Sequence, residues 1–228
     1  MASPAATEQP TLIRAWEAFL AHVPTMLLIW VATAVISGVG VAIYLIVNLI
    51  VFAAAGGEDM SDAAASVALV VGQLGQLPFS ILSSLVGVLF TAVPAIHYAT
   101  GDTIGIEAAF QALWARPWRY LLAGVLFTVA VVIGLLLCVL PGIAVALVGP
   151  VYINKVFNTD LPVLDALRTS FQAVYRSQRG WEFVGIEILT GLVVGVVSVA
   201  TCGLGALVAV PVSSFYIQNV AYHRGVLS

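Results

Sequence analysis

The stretch PTMLLIWVATAVISGVGVAIYLIVNLIVFAAA, residues 24–55, contains no charged side chain and no histidine. About 20 apolar residues are enough for an α-helix to cross the hydrocarbon core of a bilayer. A helix of this length at a water-facing surface would carry a polar face, and this one has none. Backbone amides in lipid must be satisfied internally, which leaves a helix as the form for a continuously apolar run. A barrel strand would alternate apolar and polar residues instead. The stretch reads as a membrane helix.

The rest of the chain repeats this character. Hydrophobic residues make up 61% of the 228 and charged residues only 8%, against about 25% charged in a typical soluble domain. The mean hydropathy is +1.09. Further apolar runs cover 66–98, 118–140, 141–157, 181–201 and 204–221. Pro78 is placed to kink the second. The third and fourth are expected to join at a Pro141-Gly142 turn, and the last two at Cys202-Gly203-Leu204-Gly205. Glu8 and Glu17 precede a first apolar run too long for a signal peptide, so that run is expected to be retained.

Six spans put both termini and two loops on one side of the membrane. All eight basic residues then fall there: Arg14, Arg116, Arg119, Lys155, Arg168, Arg176, Arg179 and Arg224. The opposite side carries Glu58, Asp59 and Asp62. The positive-inside rule places both termini in the cytoplasm. Seven arginines against one lysine, amid abundant Ala, Val and Gly, suit a bacterial inner or internal membrane.

The stretches CVLPGIAVALVGPVYINK (138–155) and CGLGALVAVPVSSFYIQN (202–219) share one layout: cysteine, glycine turn, small apolar run, proline, tyrosine, polar residues. A short amphipathic helix precedes each pair of spans. Leu12, Ile13, Trp16, Phe19 and Leu20 line the first; Ile106, Ala109, Phe110, Leu113 and Trp114 the second; Leu161, Leu164, Leu167, Phe171 and Val174 the third. Asp160 is expected to be the N-cap of the third, with Pro162 in its first turn. Such helices lie at the interface with their apolar side down. Trp16, Trp118 and Trp181 are expected as interfacial anchors. Pro94, Pro150 and Pro211 recur in the returning helix of each unit. The expected fold is an all-α integral membrane protein with six transmembrane helices arranged as three hairpins. Each hairpin follows a cytoplasmic amphipathic helix, with the N-terminus and C-terminus inside. The single membrane domain, 1–228, divides into hairpin units 11–98, 104–157 and 160–223.

LPGIAVALVGPVYIN (140–154), LDALRTSFQAV (164–174) and the repeated glycine turn and proline resemble a group of bacterial six-helix membrane proteins. That group includes uncharacterised families and the membrane domain attached to some glycerophosphodiester phosphodiesterases. The resemblance spans roughly residues 100–223. It implies the fold and no chemistry, because fold alone is a weak warrant for function.

Glu187 is the carboxylate inside a span. It lies six residues past Trp181, about 9 Å along the helix. Intramembrane carboxylates often mark ion or proton paths, and interfacial ones simply reach polar loop groups. Gln73 and Gln76 form the next candidate polar set, with packing hydrogen bonds as the plainer role. Asn48, Asn154, Gln218 and Asn219 lie near span ends. Cys138 and Cys202 occupy matching positions, where they would either pair as a disulfide on an oxidising face or stay buried as separate thiols. His22, His97 and His223 fall near the cytoplasmic interface and are not spaced as a pair on any helix. No nucleophile elbow, phosphate loop or zinc-protease motif occurs, and eight scattered basic residues do not make a nucleic-acid surface. No catalytic residue, metal ligand set or cofactor is expected. Membrane lipids, other membrane protein subunits or further copies of the chain are the expected partners. The reading is a non-catalytic accessory, scaffold or assembly subunit of a membrane complex. The alternative is a small transporter or lipid-handling protein using Glu187 and the two glutamines.

Overall fold

The computed structural model describes residues 3, 6, 8–54 and 61–227, so Glu58 and Asp59 lie outside the described residues. The described chain is all-helical, 84% helix with no strand. Its helices are α1 (Leu12–Ala21), α2 (Val23–Ala54), α3 (Asp62–Gly87), α4 (Leu89–Thr100), α5 (Ile106–Ala115) and α6 (Pro117–Leu137). They continue with α7 (Val139–Ala146), α8 (Gly149–Asn158), α9 (Val163–Tyr175), α10 (Gly180–Ala200) and α11 (Ala206–His223).

Among the described residues, five helical stretches are long and apolar enough to cross a membrane: Val23–Ala54, Asp62–Thr100, Pro117–Leu137, Val139–Asn158 and Gly180–Ala200. The protein is a multi-pass helical membrane protein. α11 is an 18-residue helix outside that set, and its second half is polar with Gln218, Asn219 and His223.

Local chemistry explains the helix ends. Thr11 caps α1, its hydroxyl accepting from the Arg14 N–H at 3.3 Å, and Ser61 caps α3 by accepting from the Ala64 N–H at 3.3 Å. Pro117 opens α6, where a missing N–H costs nothing. The turn between α10 and α11 needs left-handed backbone at Cys202 (φ 51°) and Gly203 (φ 90°), a conformation that glycine adopts at little cost.

Two expected boundaries move. The break between the third and fourth runs falls at Cys138, which is fully extended (φ −175°, ψ 155°), and Pro141-Gly142 sit inside α7. Pro141 is the third residue of that helix, within the first turn, where proline fits. α9 begins at Val163 with Pro162 as its cap residue, so Asp160 does not cap it. The Asp160 carboxylate instead accepts from the Arg116 guanidinium, which holds Asp160 below the usual carboxylate range.

The chain forms two compact units, Met1–Met26 with Leu89–Ser228, and Leu27–Val88. Within the larger unit α11 packs on α1, α4, α8 and α10, α4 packs on α8, and α9 packs on α6, α8 and α10. The smaller unit is α3 against the body of α2. Gly72 lies under Tyr44 and Asn48 there, and a Cβ at that position would overlap both side chains. The Ser37 and Ser83 hydroxyls bond across it at 2.7 Å.

The amphipathic helices divide their apolar residues between two surroundings. α1 buries Ala15 and Phe19 while Leu12, Ile13, Trp16 and Leu20 stay exposed. α5 buries Ala109 and Leu113 and exposes Ile106 and Trp114. α9 buries Ala166, Leu167 and Val174 and exposes Leu164. Trp16, Trp118 and Trp181 are all exposed.

Candidate functional site

Two groups of buried and half-buried polar side chains stand out in the larger unit. The first joins α8 to α11. The Asn154 amide donates to Gln218 Oε1 at 2.9 Å, and Gln218 Nε2 donates to the Pro150 carbonyl at 2.9 Å. Tyr222 Oη lies 3.3 Å from Asn154 Nδ2 and 3.4 Å from Oδ1, closing the set. Gln218 is 0% exposed and Asn154 3%. Next door, Asn219 Nδ2 donates to the Ala6 carbonyl at 3.4 Å, and Asn158 Nδ2 to the Ala95 carbonyl at 3.0 Å. These amides answer one another and the backbone, as buried polar groups must.

The second cluster is built on histidines. His22, at the C-cap of α1, is 0% exposed. Its Nε2 accepts from the Ile104 N–H at 3.0 Å, so Nδ1 carries the proton and donates to the Ala18 carbonyl at 2.7 Å. Thr25 Oγ1 donates to the Ile104 carbonyl at 3.0 Å. Residues 22 and 25 thus grip both polar groups of Ile104. The His97 ring stands edge-on to His22 with centroids 4.9 Å apart, and Phe215 packs on His22 at 5.0 Å. His97 Nδ1 bonds the Asp102 carbonyl at 2.8 Å. Burial holds His22 below its ordinary value of 6.5; the Ala18 carbonyl pulls the other way, and His97 adds a smaller downward push.

Glu187 lies in α10 with its Oε2 buried and no hydrogen-bond partner among the described residues. The Tyr175 hydroxyl, at the end of α9, donates to the Ala144 carbonyl at 2.7 Å. Burial pushes the Tyr175 phenol up, and the Glu187 charge nearby adds to the rise. Gln73 and Gln76 belong to the smaller unit. Gln76 edges a notch of about 260 Å³ lined with Ser37, Ser80, Ser83 and Ser84. No single unit contains all three of the expected polar residues.

No family model, curated protein or solved structure matches this chain.

The remaining expectations are placed as follows. Cys138 and Cys202 are both free and exposed, so neither the disulfide nor the buried-thiol reading describes them in this structure: each sits in a turn at a helix end. Among the described residues no three His, Cys, Asp or Glu side chains form a metal-holding group. Two features escaped the sequence reading. His22 and His97 are 75 residues apart, and only their shared expected side of the membrane hinted at proximity. Asn154 and Gln218 read from the sequence only as residues near span ends, although the matched YIN (152–154) and YIQN (216–219) of the two repeated stretches carry them.

Proposed function

We propose that the chain is a non-catalytic accessory, scaffold or assembly subunit of a larger complex in a bacterial inner or internal membrane. On this reading α11 completes six spans in three hairpins, and both termini lie in the cytoplasm. The observation that carries it is the use of the buried and half-buried polar side chains: Asn154, Gln218 and His22, which are buried, and Tyr222 and Asn158, which are half-buried, all tie one helix or loop to another. Polar groups engaged this way specify packing, whereas a transport path presents them to a cavity. Exposed apolar stripes on α1 and α5 support an interfacial position for these helices. Native mass spectrometry after gentle extraction is expected to show the chain in stoichiometric complex with other membrane subunits. Recovery alone, or only with copies of itself, overturns the subunit reading.

One observation favours a small transporter or lipid-handling protein: the buried, unpartnered Oε2 of Glu187. An intramembrane carboxylate left without a partner is a default ion or proton site. On that reading Glu187→Gln, reconstituted in liposomes, abolishes proton-coupled uptake while the fold persists. Proton flux equal in wild type and variant removes the transport reading.

A further inference from the structure

The corner that joins α9 to α10 carries three exposed arginines, Arg168, Arg176 and Arg179. Arg168 and Arg176 stand two four-residue steps apart on one exposed face of α9, with Gln172 between them. Arg179 is the residue before α10. Elsewhere in the larger unit Arg14, Arg116 and Arg224 each meet a carboxylate, and Arg119 donates to the Val156 and Thr159 carbonyls. The three corner arginines make no ion pair and no side-chain hydrogen bond among the described residues. Glu182, in the first turn of α10, is taken up by Arg224. Asp165 is the one carboxylate on α9, so the corner keeps an excess of two positive charges.

Depth decides what lies against them. α10 has 21 residues, which rise about 31 Å, and the hydrocarbon core is about 30 Å thick. A helix of that length crossing the core has its first turn at one boundary, which puts Arg176 and Arg179 at the level of the lipid phosphates. Trp181 marks the same level. Its ring is 66% exposed and stands edge-on to Tyr175 at 5.5 Å, tying the end of α9 to the start of α10. Leu164, one turn before Arg168 on α9, is exposed as well. Apolar side chains beside free guanidiniums match a surface that is hydrocarbon on one side and anionic on the other. A lipid leaflet is such a surface, and an acidic segment in water is not. Guanidinium donors also fit phosphate oxygens in pairs. The bodies of α2 and α3 carry no carboxylate beyond Asp62 at the start of α3, so the helices of the smaller unit offer these arginines no counter-charge.

We propose that the α9–α10 corner, with Arg168, Arg176 and Arg179 beside Trp181, binds the phosphate headgroups of anionic lipids in preference to zwitterionic ones. The uncompensated charge sets the preference, because a zwitterionic headgroup brings its own ammonium against the guanidiniums. The site stands whether or not the chain has protein partners.

The test titrates delipidated full-length protein in detergent with dioleoylphosphatidylglycerol or dioleoylphosphatidylcholine and counts bound lipid by native mass spectrometry. Wild type is expected to prefer phosphatidylglycerol. Arg168→Gln, Arg176→Gln and Arg179→Gln are each expected to weaken that binding about fivefold, from about 1 kcal/mol per basic residue near an anionic surface. Lysine at all three positions is expected to keep most of the preference, and soluble glycerol 1-phosphate at equal concentration is expected not to compete. The three side chains hold no other residue, so circular dichroism of the single variants is expected to match wild type. In native membranes Gln178→p-benzoylphenylalanine, exposed between two of the arginines, is expected to give a photo-adduct one phospholipid in mass. Equal affinity for the two lipids overturns the proposal, as does a triple glutamine variant that binds phosphatidylglycerol like wild type. Competition by glycerol 1-phosphate would make the corner a site for soluble phosphate, and an adduct to protein alone would make it a protein-binding face; either result also overturns it.

Discussion

His22→Ala is expected to destabilise the protein by about 2–4 kcal/mol in denaturant or thermal unfolding in detergent. The imidazole is fully buried, so its loss leaves a cavity between α1, α4 and Phe215. It also strips the Ile104 N–H of its acceptor and the Ala18 carbonyl of its donor. An unmet buried donor alone costs about 1–3 kcal/mol. His22→Phe isolates that part: ring volume is retained and the Ile104 amide is still orphaned. The phenylalanine variant should therefore fall between wild type and alanine. If both variants unfold with wild-type midpoints, Ile104 is not held by this residue.

The same geometry fixes a pH dependence. Nε2 must stay unprotonated to accept from Ile104, so the folded state binds the neutral ring. The folded-state value is depressed by burial below 6.5. Above pH 6.5 the ring is neutral in both states and the stabilisation is complete. As pH falls below 6.5 the unfolded chain takes up a proton that the folded chain refuses, so stability drops until the folded-state value is reached. The slope is at most about 1.4 kcal/mol per pH unit for one group. Comparing the pH dependence of wild type with His22→Phe over this window isolates the residue. An identical slope in both assigns the acid sensitivity elsewhere.

What the sequence disclosed and what it hid follow from the range of the forces involved. Apolar runs and helix periodicity are local, and they marked the membrane helices and all three amphipathic segments. Boundaries depended on single residues whose role is decided by neighbours. Pro141 reads as a turn former in isolation, and it becomes a first-turn residue once Cys138 takes the extended conformation. Asp160 reads as a cap until Arg116, 44 residues earlier, claims its carboxylate. The clusters were hidden for the same reason. His22 meets Ile104 across 82 residues and Asn154 meets Gln218 across 64, and no periodicity encodes such pairs. Glu187, Gln73 and Gln76 were visible because a polar residue in an apolar run needs no partner to be noticed. Their surroundings were not.

Gln218→Leu is expected to cost about 1–3 kcal/mol, through loss of two hydrogen bonds and the stranding of the Asn154 amide and the Pro150 carbonyl. Asn154→Leu should cost a similar amount, since it frees Gln218 Oε1 and loosens Tyr222. The informative quantity is the double variant. Replacing both partners removes the unmet groups along with the bond, so the pair should lose less than the sum of the singles. A coupling of about 0.5–2 kcal/mol is expected, the upper part of the range found between membrane helices. The reason for placing it high is that Gln218 is wholly enclosed, with no lipid-facing route by which a stranded amide could find water. Strict additivity would mean that the two amides are solvated separately. In that case the link between α8 and α11 would rest on apolar packing alone, and the repeated tyrosine-isoleucine-amide pattern would lose its structural role.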